Sequence, residues 1–111
     1  MILPEWLKIV VEREFDEDQC ARVAEVITVV NESTFSAEEL KCGKEVAEWS
    51  ARLVGAIVIS HREGWDLDMI LTTTALDWRD LLMGTGLEHG DWREVLVTKL
   101  ADPSDRRPLI G

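Results

Sequence analysis

LVGAIVI, residues 53–59, decides how this chain is read. An uninterrupted apolar run fits either a buried strand or the part of a helix that is covered on every side. The residues before it break the tie. Leu40, Gly43, Ala47, Ser50, Val54 and Ile57 share one helical face, with Val46, Leu53 and Val58 beside it. That 3.6-residue period enters the run from outside, so the spacing predicts one long helix whose second half is the centre of a core. A strand over 56–60 is the main competitor.

Working back towards the N-terminus, Ser36-Ala-Glu-Glu39 is a capping box at the start of that helix. The serine oxygen faces unpaired N–H groups and the glutamate reaches back. The segment VITVV, 26–30, is rich in β-branched residues and is a second place for a strand. Here too the helical stripe Cys20, Val23, Ala24, Ile27 and Val30 begins earlier and runs through. Asp16 with Gln19 three residues on starts that helix. Pro4 suits the first turn of another, in which Trp6, Leu7, Val10 and Val11 recur at helical spacing.

Working forward, Gly64 ends the long helix and Asp66 opens the next segment. Leu67, Ile70, Leu71, Thr74, Trp78 and Leu81 keep the period, with a weak TTT middle: one helix, or two broken near Leu76. Met83-Gly-Thr-Gly86 closes it. A last helix spans about 92–101, stopped by Asp102-Pro103. The tail 103–111, PSDRRPLIG, has turn composition and no period, and is read as loose or docked. The expectation is a single all-α domain of four to six helices over 1–102. Strands near 26–30 and 56–60 would make it α+β instead.

Composition narrows function more than any motif does. With 22 acids against 12 Lys and Arg in 111 residues, the net charge is −10. Such a field disfavours nucleic acid and anionic membranes and favours a basic partner. No basic-then-apolar leader opens the chain, and no apolar run reaches membrane length. The two cysteines, Cys20 and Cys42, fall in apolar helical patterns with no CxxC, which fits a reducing compartment. The localisation expected is cytoplasmic.

DWRDLL at 77–82 and DWREVL at 91–96 nearly repeat each other. One reading is two helix starts, with Asp77 and Asp91 as caps, Trp78 and Trp92 covering the core edge, and Arg79 and Arg93 pointing outward. The sharper reading joins Trp78, Arg79, Asp80, Trp92, Arg93 and Glu94 into one partner-binding face, since Trp and Arg dominate hot spots. A helix-turn-helix shape is also present, but its last helix is too acidic to read DNA. Of the five tryptophans, one or two are expected to stay exposed.

Catalytic signals are sparse. Neither cysteine has an identifiable histidine partner, GxSxG is absent, and 83–86 is too short for a phosphate loop. His61, Glu63, Asp66 and Asp68, with His89 and Asp91, offer metal-ligand chemistry. Glu45-Val-Ala-Glu48 followed by Glu63-Gly-Trp-Asp66 resembles the ExxE…ExxD pattern of the all-α nucleotide pyrophosphatases of the MazG type. The resemblance covers about twenty residues. It implies carboxylates on two facing helices holding magnesium against a triphosphate, with Glu45, Glu48, Glu63 and Asp66 as metal ligands.

The function expected is a small acidic interaction factor of the inhibitor, immunity or antitoxin kind that covers a basic surface of a target protein. No cofactor is expected. The competing classes are a metal-dependent helical enzyme and a homo-oligomeric adaptor.

Overall fold

Helix starts are where this sequence is most explicit, and the computed structural model, which describes residues 3–41 and 43–100, follows them closely. Helix α1 (Glu5–Glu14) begins after Pro4, whose carbonyl takes the first N–H groups. Helix α2 (Glu17–Thr34) starts with a reciprocal capping box. Asp16 Oδ1 accepts from the Gln19 amide at 2.8 Å, and Gln19 Oε1 accepts from the Asp16 amide at 3.0 Å. Helix α3 (Ala37–Lys41) opens with the same exchange between Ser36 and Glu39. The Ser36 amide, then its hydroxyl, hold the Glu39 carboxyl below its usual range. A lowered carboxyl favours the fold above its unfolded-state value, and this contribution fades as pH falls through the lowered one.

Helix α4 (Gly43–Arg62) contains the deciding run. It packs against α1, α2, α3, α5 (Leu67–Thr85) and α6 (Trp92–Leu100). Leu53, Val54, Ala56, Ile57 and Val58 are buried on every side, which is why no polar face interrupts the run. The strands considered at 26–30 and 56–60 are therefore not formed. The first lies inside α2 and the second inside α4, and the described residues contain no strand. In α4 burial on all faces lets β-branched residues continue the helix, whereas in α2 the buried stripe of Val23, Ile27 and Val30 holds it while Thr28 and Val29 stay exposed. The fold is all-α, with six helices among the described residues. The tail 103–111 and Cys42 lie outside the described residues.

Gly64 takes a positive φ of 101°, which any side chain would strain, and turns the chain out of α4. Asp66 caps α5 through the Met69 amide at 3.3 Å. Helix α5 bends at Asp77, where φ −154° and ψ 82° are not helical. Asp77 Oδ1 faces the Asp80 amide at 3.4 Å, so the first copy of the doublet starts the second arm of a bent helix. Gly86, left-handed at φ 76°, closes that arm. The second copy differs. A turn from His89 to Trp92 leads into α6, the Asp91 carbonyl accepts from the Val95 amide, and among the described residues no amide donates to the Asp91 carboxylate.

Asn31 and Ser50 are a polar pair between α2 and α4, in contact at 3.0 Å. The Asn31 Oδ1 is buried and has no hydrogen-bond partner among the described residues. Removing one partner of a buried pair strands the other, whereas removing both does not. Ser50→Ala alone is expected to cost about 1–3 kcal/mol, and Ser50→Ala with Asn31→Leu to return to within about 1 kcal/mol of the wild type. Urea unfolding of both variants checks this. A double variant as unstable as the single one overturns it.

Candidate functional site

The two copies of the doublet are brought to one side of the molecule, but by a third element. Trp49 and Arg52 of α4 stand between them. Trp49 meets Trp78 edge to face, with ring centres 4.9 Å apart. The Arg52 guanidinium lies 4.9 Å from the Trp49 ring centre and 4.9 Å from that of Trp92. Arg79 stacks on Trp78 at 5.2 Å and Arg93 on Trp92 at 5.0 Å. Arg93 also donates to Glu48 at 2.6 Å. Trp92 is buried and Trp78 half-buried, so these indoles lock helices together and leave only part of their surface to a partner. Glu94 is exposed in the first turn of α6.

Asp80 takes part in a different feature. It lines a cavity of about 400 Å³, formed where α4 ends and the two arms of α5 bend around the same space. Ile70, Leu81 and Met69 give it an apolar floor, and Trp65 stands at its side. Glu63 and Asp80 are its carboxylates; Ser60, Thr73 and Thr85 add hydroxyls. Trp65 is 54% exposed and Met69 53% exposed, high values for large apolar side chains. Trp65 follows the Gly64 turn, which releases it from α4 and sets it beside the groove.

The sequence drew attention to Asp80 and Glu63 but not to the groove they share. Trp65 was visible only as a tryptophan between acids after a glycine. The expectation that one or two tryptophans stay exposed is met by Trp65 and, at 38%, Trp6.

The metal-ligand candidates are dispersed. Glu45 and Glu48 sit near the start of α4, and Glu63 follows its end. Fifteen residues of helix between Glu48 and Glu63 span about 22 Å. The two carboxylate pairs thus occupy opposite ends of one helix rather than facing helices. Glu48 is paired with Arg93, and Asp66 is the cap of α5. His61 Nδ1 meets Glu14 at 2.6 Å, Arg62 Nε donates to the same carboxylate at 2.9 Å, and Asp68 pairs with Arg22. Among the described residues no three His, Cys, Asp or Glu side chains converge on one metal position. The magnesium arrangement implied by the pyrophosphatase resemblance is not assembled.

Cys20 is half-buried against the core, its Sγ near the carbonyls of Phe15 and Val11. Burial first, then Glu12 and Asp16, push its thiol above the ordinary value. That is the opposite of what a nucleophile needs.

None of the described helices is long and apolar enough to cross a membrane. Comparison with protein-family models, with curated proteins and with solved structures finds no match.

Proposed function

We propose that the protein is a small acidic interaction factor, of the inhibitor, immunity or antitoxin kind, that docks a basic segment of a target protein in the groove between the end of α4 and the bent α5. The observation that carries this is the pairing of an apolar floor with two carboxylates and a half-exposed indole in one cavity. An arginine or lysine side chain has the matching form: an apolar stem for Ile70, Leu81 and Met69, and a cationic head for Glu63, Asp80 and the Trp65 face. The net charge of −10 adds long-range steering towards such a partner. The same charge opposes a second copy of this chain as occupant, since two acid-rimmed grooves repel. Of the doublet, this site retains Asp80, and its aromatic anchor is Trp65 rather than Trp78 or Trp92.

The test uses a short synthetic peptide of alternating arginine and leucine, titrated against the protein by calorimetry at low and at physiological salt. Binding is expected to weaken about tenfold or more across that range. Glu63→Gln with Asp80→Asn is expected to weaken low-salt binding by at least about tenfold, the loss of roughly 1.4 kcal/mol. Trp65→Ala is expected to weaken it while leaving the melting temperature nearly unchanged. Binding that ignores these three side chains, or a mass that doubles with concentration in sedimentation, counts against the proposal.

A further inference from the structure

A second cleft has the opposite electrostatic character. It measures about 290 Å³ and is lined by Trp49, Arg52, Trp78, Arg79, Met83 and Glu88, with Leu82 below. In a chain of net charge −10, two arginines without a carboxylate partner at one cleft make a local cationic patch. Arg22, Arg62 and Arg93 all have such partners. Among the described residues Arg13, Arg52 and Arg79 have none within ion-pair distance, and of these Arg52 and Arg79 both face this cleft.

We propose that this cleft binds a nucleoside monophosphate, or a ligand of that chemical class: a flat ring carrying hydrogen-bond donors, joined to a phosphate. Each part follows from a side chain. The Arg52 guanidinium lies against two indoles, Trp49 and Trp92, and among the described residues no hydrogen bond occupies its N–H edge. An edge of parallel N–H donors matches phosphate oxygens. Arg79, over the Trp78 ring, supplies a second fork at the same cleft. Trp49 and Trp78, with Met83, offer an aromatic and polarizable wall against which a base stacks. Glu88 is a poor neighbour for a bare anion; its Oε1 meets His89 Nε2 at 3.3 Å, and its other oxygen is an acceptor for the N–H groups of a nucleobase. This selects a donor-bearing ring over a simple aryl phosphate.

Arg52 gives independent support. Burial disfavours its charge and pulls the guanidinium below its ordinary value; Glu48 works against this, and the neighbouring Arg93 adds to it. A partly desolvated cation beside another cation gains from an anion brought to its free edge. A lone nucleotide differs from nucleic acid here, because it enters a local patch rather than lying along an acidic surface.

The probes are adenosine monophosphate, adenosine and inorganic phosphate, followed through the indole Nε1–H signals of the five tryptophans by NMR. Adenosine monophosphate is expected to shift the Trp49 and Trp78 signals saturably and to leave Trp65 unmoved. Adenosine and phosphate alone are each expected to bind at least about tenfold more weakly, since each engages half the site. Arg79→Gln, an exposed change that spares the core, is expected to weaken binding by about tenfold. Arg52→Lys, which keeps the charge but loses the fork, is expected to weaken it as well. The proposal is overturned by no saturable shift at millimolar ligand, by phosphate binding as tightly as the nucleotide, or by full binding in Arg79→Gln.

Discussion

Trp92→Ala is expected to lower stability by about 3–5 kcal/mol, as for other buried aromatic truncations. Trp92 is the first residue of α6 and is 7% exposed. Its indole covers the end of the core, and Leu96 and Leu100 continue the same buried face one and two turns on. It also carries Arg52 and Arg93, so the truncation removes two cation–π contacts along with apolar burial. Whole-domain stabilities are about 5–15 kcal/mol, so this loss brings the chain close to unfolding at physiological temperature. For a domain of this size the melting temperature should fall by roughly 12 °C or more. Trp65→Ala is the internal control: its half-exposed ring is expected to cost no more than about 1 kcal/mol. Calorimetric melting of the two variants checks the contrast. Equal costs would mean that Trp92 is not the buried anchor of α6.

Gly55→Val is expected to cost about 3 kcal/mol, through overpacking where α4 and α6 cross. A Cβ built on Gly55 falls 2.1 Å from Leu96 Cδ1 and 3.2 Å from its Cγ. Leu96 is 2% exposed, so its methyl groups have nowhere open to swing. The glycine is there for close approach, at the expense of about 1 kcal/mol of helix propensity relative to alanine. Gly55→Ala recovers that propensity but meets the same methyl, and is expected to cost less than valine. The diagnostic is coupling. Leu96→Ala alone should cost about 2–5 kcal/mol, yet in its presence Gly55→Ala should become neutral or stabilising. Additive costs in that double-mutant cycle would contradict the close approach.

Most of the fold was legible because its punctuation is local. Asp16 with Gln19, Ser36 with Glu39, Gly64, Asp66 and Gly86 each work through a side chain or a φ angle that acts within a few residues. The two β-branched runs were legible as helix only through their period, since their propensity points the other way. Asp91 shows the limit. Its sequence context matches that of Asp77, but the turn from His89 satisfies the start of α6 without its carboxylate.

The sites were less legible, for a geometric reason. The groove gathers residues from Ser60 to Thr85, and its concavity depends on a bend at Asp77 that periodicity only hinted at. The arginine–tryptophan cluster was half visible. The doublet pointed to Trp78, Arg79, Trp92 and Arg93, while Trp49 and Arg52 lie outside it. Their i, i+3 spacing on a helix was the available signal, because it places a cation over a ring. What joins them to Trp92 is the packing of α6 on α4, which no local pattern encodes.

The central claim is that a basic segment lands in one groove rather than on acidic surface at large. The most direct measurement is a map of backbone amide shifts on titration with the arginine–leucine peptide at low salt. Shifts confined to the residues around Ser60, Glu63, Trp65, Met69, Thr73, Asp80 and Thr85, lost in Glu63→Gln with Asp80→Asn, are the predicted result. Shifts spread over the acidic faces of α2 and α3, or unchanged by that variant, would contradict it and leave net charge as the sole source of the attraction.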